Sequence, residues 1–296
     1  MDSSTAPPSV TEPVKSPPTG RVMDVLASLS DSPNGRTSAE LAKSCGISTS
    51  TCALVLAELE RGNWLTRRDD RRYTLGSGLF GLVHGLRVQF PLLDRGREAL
   101  SFLHTTLGAG CSMSKIGQTH LITIDTVGHG TDGEHAVGQR FPIGPPFGLV
   151  AMAWRDEDTI DGWLRRVTPR LTDSDIAGHR LVLAEIRDRG YGAWRFDAAH
   201  SSLHDRLAAL LASLEPTAQV TRELSALMTI VTLQSVTSVL ESELASTEFV
   251  VLPIFGRDGQ PEYQIEIHLG GQDELALADL DAALLHAQAL LSPGVA

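Results

Sequence analysis

Residues 37–59 constrain the fold of this chain most strongly, because they carry two short helix signals separated by a glycine turn. Thr37 and Glu40 have the spacing of a capping box, in which a hydroxyl accepts a hydrogen bond at the helix start and a carboxylate reaches back. Gly46 then allows a tight turn, and Ser48 can cap a second helix. That helix carries an apolar stripe at i, i+3, i+4 and i+7, formed by Cys52, Val55, Leu56 and Leu59. Two helices joined in this way can cross near a right angle, which predicts a helix-turn-helix.

The flanking segments complete this unit on both sides. A stripe of the same spacing precedes it, formed by Val22, Val25, Leu26 and Leu29. Residues 64–67 and 72–75 are β-prone and flank a short polar connection, which predicts a hairpin. Three helices and a hairpin make a winged helix-turn-helix, which we predict over residues 20–77. Residues 1–19 are rich in proline and have no apolar signal-peptide core, so we expect a disordered leader there.

Polar residues in this unit stand where a DNA-binding protein needs them. The third helix begins with serines and threonines, whose hydroxyls and free N–H groups suit phosphates and base edges in the major groove. The hairpin contributes arginines that can lie over phosphates or in the minor groove. The candidate DNA-binding residues are Thr37, Ser38, Ser48, Thr49, Ser50, Thr51, Leu54, Arg67, Arg68, Arg71 and Arg72. The alternative is a three-helix packing module in which the serines and threonines only cap helices.

The charge distribution favours a small nucleic-acid-binding domain within residues 21–75, which we call the reader, joined to a large acidic domain. The whole chain has a formal net charge of −11, which argues against indiscriminate binding to nucleic acid. Residues 21–75 carry eight basic and seven acidic side chains, whereas residues 76–296 carry 16 and 27. Ordinary scatter of charge along the chain is the alternative.

The rest of the chain predicts an α+β domain. A helical stripe follows the hairpin at Leu79, Leu82, Val83, Leu86 and Phe90, and Pro91 begins another helix. Four strands are predicted, at residues 111–116, 120–125, 249–255 and 263–269. Helices are predicted at residues 147–167, 172–189, 203–214, 219–245 and 273–291. Strands at both ends with helices between them indicate an antiparallel sheet flanked by helices.

No cofactor, metal or catalytic constellation stands out. Residues 128–133 match G-x-G-x-x-G, but the helical pattern that a dinucleotide site requires does not follow. His200 and His204 stand at i, i+4 without a third ligand nearby, so a solvated helix start is the better interpretation. The three cysteines have no redox or zinc spacing, and no apolar run is long enough to span a membrane. We therefore expect a cytoplasmic protein without cofactor, metal, membrane partner or catalytic activity.

Several runs of the sequence resemble the IclR family of bacterial transcription regulators. They are RVMDVLASL at residues 21–29, TSAELAKSCGIS at 37–48, STCALVLAELERGNWL at 50–65 and RYTLGSGLFGL at 72–82. Weaker runs lie at residues 136–143, 183–191 and 252–259. The resemblance implies a linker helix over residues 78–90 and a GAF-like effector-binding domain over residues 91–292. It also implies assembly as a homodimer or a dimer of dimers.

Two places depart from the family pattern. The family usually has Arg on the exposed face of the recognition helix, where this chain has Leu54. A leucine can touch a thymine methyl but cannot form the forked hydrogen bonds of arginine to guanine. The final strands, at residues 250–255 and 262–268, carry larger and more charged residues than the family usually has there. The family's usual ligand class is therefore not carried over to this chain.

In the family, the element at residues 144–154 borders the ligand. Here it opens a helix after two prolines, which leaves N–H groups of the first turn unpaired. The candidate ligand-binding residues are Phe141, Phe147, Gly148, Leu149, Met152, Trp194, Glu266 and His268. The polar strand face of Glu266 and His268 points either into a pocket or to solvent, and the apolar residues are either pocket wall or ordinary core. We expect a small, apolar or aromatic effector with one hydrogen-bonding end, because the acidic domain does not suit a polyanion.

Three functions compete at this stage. The first is a regulator that binds a double-stranded DNA operator and responds to a small-molecule effector, and the arginine wing beside a Ser/Thr-rich helix favours it. The second is an enzyme, which the sequence disfavours because it carries no catalytic set. The third is a ligand sensor or interaction protein with weak or no specific DNA binding, which Leu54 and the nearly neutral reader favour.

Overall fold

The computed structural model describes residues 17–30, 32–128, 137–144, 148–165, 171–194, 247, 249–270 and 275–292. The chain divides into two compact units, Met1–Phe90 and Pro91–Ala296. Within the described residues, no helix is both long and apolar enough to cross a membrane.

The N-terminal unit consists of helices around a small sheet. Its helices are α1 (Pro17–Ser30), α2 (Ser38–Ser44), α3 (Thr49–Arg61) and, after a 3-10 turn at Ser77–Leu79, α4 (Phe80–Gln89). Its strands are β1 (Arg36–Thr37), β2 (Leu65–Arg67) and β3 (Arg72–Leu75), paired antiparallel in the order β1-β3-β2. The predicted winged helix-turn-helix is present, with the short strand β1 added to the hairpin. Helix α1 begins at Pro17, inside the segment that we expected to be the leader.

The caps that the sequence predicts hold α2 and α3 in place. Thr37 Oγ1 accepts from the N–H of Glu40 at 3.3 Å, and Glu40 Oε2 accepts from the N–H of Thr37 at 2.7 Å. Ser48 Oγ accepts from the N–H of Thr51 at 3.2 Å. Gly46 lies between the two helices with φ 60°. The core beneath these helices is formed by Val25, Leu29, Leu41, Ala42, Cys52, Leu56, Leu59, Leu65 and Tyr73.

The C-terminal unit is built on one antiparallel sheet, which confirms the predicted α+β class. Its strands are β4 (Gly110–Ile116), β5 (His120–Val127), β6 (Arg140–Pro142), β7 (Gly192–Trp194), β8 (Phe249–Phe255) and β9 (Pro261–His268). They pair in the order β6-β5-β4-β9-β8-β7. Its helices are α5 (Leu92–Leu107), α6 (Leu149–Met152), α7 (Glu157–Leu164), α8 (Asp173–Arg189) and α9 (Leu277–Leu291).

Each face of this sheet has its own core. On one face, Met113, Ile265 and Ile267 pack with side chains of α5 and α9 such as Leu100 and Leu280. On the other face, which we call the inner face, Val251 and Leu121 belong to a core with α6, α7 and α8 that includes Trp163 and Ile186. The sheet is therefore covered on both sides, which agrees with the continuous apolar run of β8.

The prediction of a single helix over residues 147–167 is wrong. Helix α6 covers only Leu149–Met152, and a new helix, α7, begins at Glu157. The break occurs because Asp156 adopts an extended conformation and its Oδ1 accepts from the N–H of Thr159 at 2.8 Å, which caps α7. The predicted helices at 203–214 and 219–245, with His200 and His204, lie outside the described residues.

Candidate nucleic-acid interface and inner face of the sheet

The N-terminal end of α3 presents a cluster of hydroxyl groups. Ser48 Oγ lies 3.0 Å from Ser50 Oγ and 2.8 Å from Thr51 Oγ1. Ser48, Thr49 and Ser50 are exposed. Because a hydroxyl can both donate and accept, this end can bond to phosphate oxygens and to base edges of either polarity.

One turn further along α3, the exposed face becomes apolar. The side chain of Leu54 is 75% exposed, and Ala53 and Ala57 beside it are exposed as well. On the opposite face Cys52 and Leu56 are buried. Leu54 therefore lies off the packed stripe, as the helical spacing predicts.

The one basic side chain of α3 lies at its C-terminal end and is already paired. Arg61 Nε donates to Glu58 Oε2 at 2.9 Å, and a second hydrogen bond joins the same two groups. This pairing lowers the pKa of Glu58 through the hydrogen bond first and through the charge of Arg61 second. The exposed face of α3 from Thr49 to Leu56 carries no cation.

Four arginines lie on the hairpin, which we call the wing, and they differ in their partners. Arg67 and Arg71 are exposed, and Arg71 has φ 63° at the tip. The guanidinium of Arg67 lies 5.8 Å from the ring centre of Tyr73. Arg68 Nε lies 3.7 Å from Asp70 Oδ1. Among the described residues, the Arg71 side chain makes no hydrogen bond or ion pair.

Arg72 instead connects the wing to the start of α2. Its Nη1 donates to Glu40 Oε2 at 3.1 Å and to the carbonyl oxygen of Gly35 at 2.9 Å. The pKa of Glu40 is lowered, first by the backbone and side-chain hydrogen bonds of Thr37 and then by Arg72. Thr37 is occupied by this cap, and Ser38 Oγ donates to Cys52 Sγ at 3.9 Å. Thr37, Ser38 and Arg72, all predicted to bind DNA, therefore already have internal partners.

The predicted ligand-binding residues of α6 are part of the inner-face core. Leu149 and Met152 are buried in that core, and Phe141 packs against it. Gly148 has φ 88°, and a Cβ there would lie 2.9 Å from Ile143 Cγ2, so only glycine fits. Trp194 is on strand β7, paired with Phe249. Phe147 lies outside the described residues.

The structure settles which way the polar strand face points. Glu266 lies directly opposite Val251 across β9 and β8, and paired residues project to the same face. Because Val251 belongs to the core with α6, Glu266 and His268 point to the inner face, with side chains about one third exposed. His268 Nε2 lies 3.1 Å from Glu266 Oε1.

The inner face carries other polar residues that the sequence analysis did not name as candidate site residues. Ser112 lies opposite Glu266, Ser114 lies opposite Gln264, and all of these except Glu266 are buried. Thr123 pairs with Ser114 from the other side and is buried too. The alternation Ser-Met-Ser in residues 112–114 was the available signal. Together these groups form a polar strip across the middle of an otherwise apolar layer.

A buried histidine lies in the same layer. His179 of α8 is fully buried, with Nδ1 2.7 Å from the carbonyl oxygen of Asp175 and its ring edge-on to Trp163. Burial lowers the pKa of His179 because the protonated form would lose its hydration, while the contacts with Asp175 act in the opposite direction. Within the described residues, no three His, Cys, Asp or Glu side chains cluster as a metal site would.

Comparison with known proteins gives matches among solved structures only. No family model matches the chain, and no curated protein matches it. An IclR transcriptional regulator from Alicyclobacillus acidocaldarius is 24% identical with a TM-score of 0.51, covering 94% of this chain and 98% of its own. The IclR protein of Thermotoga maritima is 16% identical with a TM-score of 0.55, covering 92% and 96%.

A third neighbour carries a ligand. An IclR homologue from Microbacterium hydrocarbonoxydans, complexed with 4-hydroxybenzoate, is 16% identical with a TM-score of 0.56, covering 93% of this chain and 98% of its own. These matches span both units. They confirm the resemblance at the level of architecture: the chain has the fold of the IclR transcriptional regulators.

Proposed function

We propose that this protein is a DNA-binding transcriptional regulator of the IclR type, whose operator binding responds to a small molecule held on the inner face of the C-terminal sheet. One observation carries the DNA-binding part. The hydroxyl-rich start of α3 is exposed in the same winged unit as Arg67 and Arg71, two exposed arginines that form no ion pair within the part of the chain that the structure describes. Helix starts and arginines of this kind are what a duplex requires for base and phosphate contacts.

The charge of the reader makes a dimer the natural binding unit. Residues 21–75 are nearly neutral, so one copy can neutralise only a few phosphates. Helix α4 has no buried residue, and it exposes Leu82, Val83 and Leu86 on one side. An apolar face of this size on a short helix is typical of an interface. A second copy packed through α4 doubles the phosphate contacts and fixes the spacing of the half-sites.

The polar strip of the inner face supports effector binding. A ligand site needs a mainly apolar wall with a few polar groups that fix orientation. Leu149, Met152 and Phe141 supply apolar surface, and Ser112, Glu266 and His268 supply polar groups. We expect a small aromatic or apolar ligand with one hydrogen-bonding end. The 4-hydroxybenzoate of the Microbacterium homologue is also a small aromatic molecule, with a polar group at each end of its ring.

The DNA-binding part is tested by a band-shift titration of the full-length protein on the DNA that flanks its own gene. We expect a retarded band that survives an excess of unrelated duplex. Arg71→Ala should weaken it, whereas Arg165→Ala, an exposed arginine of the C-terminal unit, should not. A band that unrelated duplex abolishes would instead favour a sensor or interaction protein without specific DNA binding.

The effector part is tested by tryptophan fluorescence of the full-length protein titrated with benzoate and 4-hydroxybenzoate. Saturable binding should weaken with Glu266→Gln or Ser112→Ala and should persist with Glu98→Gln, an exposed control on α5. Bound effector should also change the band-shift midpoint, since two linked binding events alter each other's affinity. Binding that both inner-face variants leave unchanged would place the site elsewhere.

A further inference from the structure

We propose that Leu54 reads the C5-methyl group of thymine, so that the base pair facing it in each half-site is A·T with the thymine methyl against the leucine. This inference rests on the proposed function, because it assigns a base to the exposed face of α3. It adds a specificity-determining residue at the position where the resemblance would have placed an arginine.

The geometry of α3 leaves Leu54 free to meet a base. Its side chain is 75% exposed, whereas the stripe on the other side of the helix is buried. Ser50, one turn before it on the same face, is exposed, and so is Ala57 after it. The small residues Ser50, Ala53 and Ala57 leave the Leu54 side chain accessible to the floor of the major groove. Glu58, one turn further on, is exposed and is held by Arg61.

The chemistry of the major groove then selects the base. Guanine and adenine present polar acceptors or donors there, cytosine presents an amino group, and only thymine presents an apolar methyl. A leucine placed against a polar edge removes water from that edge and returns no hydrogen bond. Placed against the methyl, it removes apolar surface of both groups from water. Thymine is therefore the one base that Leu54 can favour.

The rest of the helix does not supply a competing reader of guanine. No Lys or Arg lies between Thr49 and Leu56, and Arg61 is held by Glu58 at the far end. The exposed hydroxyls at the start of α3, on Ser48, Thr49 and Ser50, can donate to or accept from a base edge of either polarity, so they do not select one base. The discriminating contact of this helix is consequently the apolar one.

The experiment starts from a random duplex pool, selected for binding by the full-length protein. We expect one thymine in each half-site to be enriched. Replacing that thymine by deoxyuridine removes only the methyl and should weaken binding about fourfold per half-site. Deoxyuridine at the other thymines of the same duplex is the matched control and should have little effect.

The leucine is then removed from the protein side. With Leu54→Ala, the thymine and deoxyuridine duplexes should bind with equal affinity, while Met23→Ala, an exposed apolar control on α1, should retain the difference. Unchanged thermal melting of Leu54→Ala would show that the fold is intact. Equal binding of both duplexes by the unaltered protein would overturn this inference, and failure to enrich any sequence would overturn the proposed function instead.

Discussion

Two neighbouring arginines of the wing should behave differently when they are removed. Arg71 is exposed at the tip, whereas Arg72 is held by Glu40 and the carbonyl of Gly35. Arg71→Ala should reduce the slope of log affinity against log salt by about one, since one phosphate contact is lost. Arg72→Ala should lower the thermal stability of the N-terminal unit as well. Salt titrations and melting curves of both variants measure this, and equal effects on stability would contradict the assignment.

The buried His179 makes stability depend on pH. Its pKa is lowered in the folded protein, so between the folded and unfolded pKa values the unfolded chain binds the extra proton. Stability should therefore fall as the pH drops below about 6.5, by at most about 1.4 kcal/mol per pH unit. His179→Asn should flatten this dependence, and the exposed His120→Gln should not. Denaturant midpoints measured at several pH values test this prediction. The same slope of stability against pH in His179→Asn as in the unaltered protein would contradict it.

At the scale of elements, the capping box should decide how firmly α2 is held. Thr37→Ala removes the acceptor for the N–H of Glu40, which typically costs about 1 kcal/mol. Hydrogen exchange of residues 38–44 should speed up about fivefold, whereas Thr66→Ala, an exposed threonine of β2, should leave it unchanged. Exchange that Thr37→Ala does not alter would show that the cap contributes nothing.

The elements that the sequence predicts are those with strong local signals. The capping box of α2, the Ser48 cap and apolar stripe of α3, and the hairpin β2–β3 depend on residues close together in the chain, and the structure confirms them. The break before α7 was missed because a single aspartate cap at Asp156 outweighs a continuous apolar pattern. Strand β6 was missed because it has only three residues, too few to show an alternation.

The candidate site was only partly predictable for a related reason. The exposure of Leu54 follows from helical spacing, which is local. The internal partners of Arg72 and the direction of Glu266 depend on pairing between distant segments. The sequence left the direction of Glu266 open, since a strand with alternating residues has no local mark of which face is covered.

At the scale of the whole molecule, assembly through α4 should control DNA binding. Leu82→Glu and Leu86→Glu place charges on its exposed apolar face and should convert the protein to a monomer in sedimentation experiments. Because each reader neutralises few phosphates, DNA affinity should fall when dimerisation is lost. The control is Leu285→Glu, which places the same charge on an exposed leucine of α9, outside the reader. A double variant that stays dimeric would place the interface elsewhere.

Footprinting of the full-length protein on the DNA beside its own gene tests the central claim most directly. We predict two protected half-sites arranged as a near-palindrome, with centres one helical turn or a whole number of turns apart. Each half-site should contain the thymine assigned to Leu54, and Arg71→Ala should weaken both protections together. Absence of protection at concentrations that give a stable dimer, or uniform protection without a repeated sequence, would contradict the claim that this chain is a sequence-specific regulator.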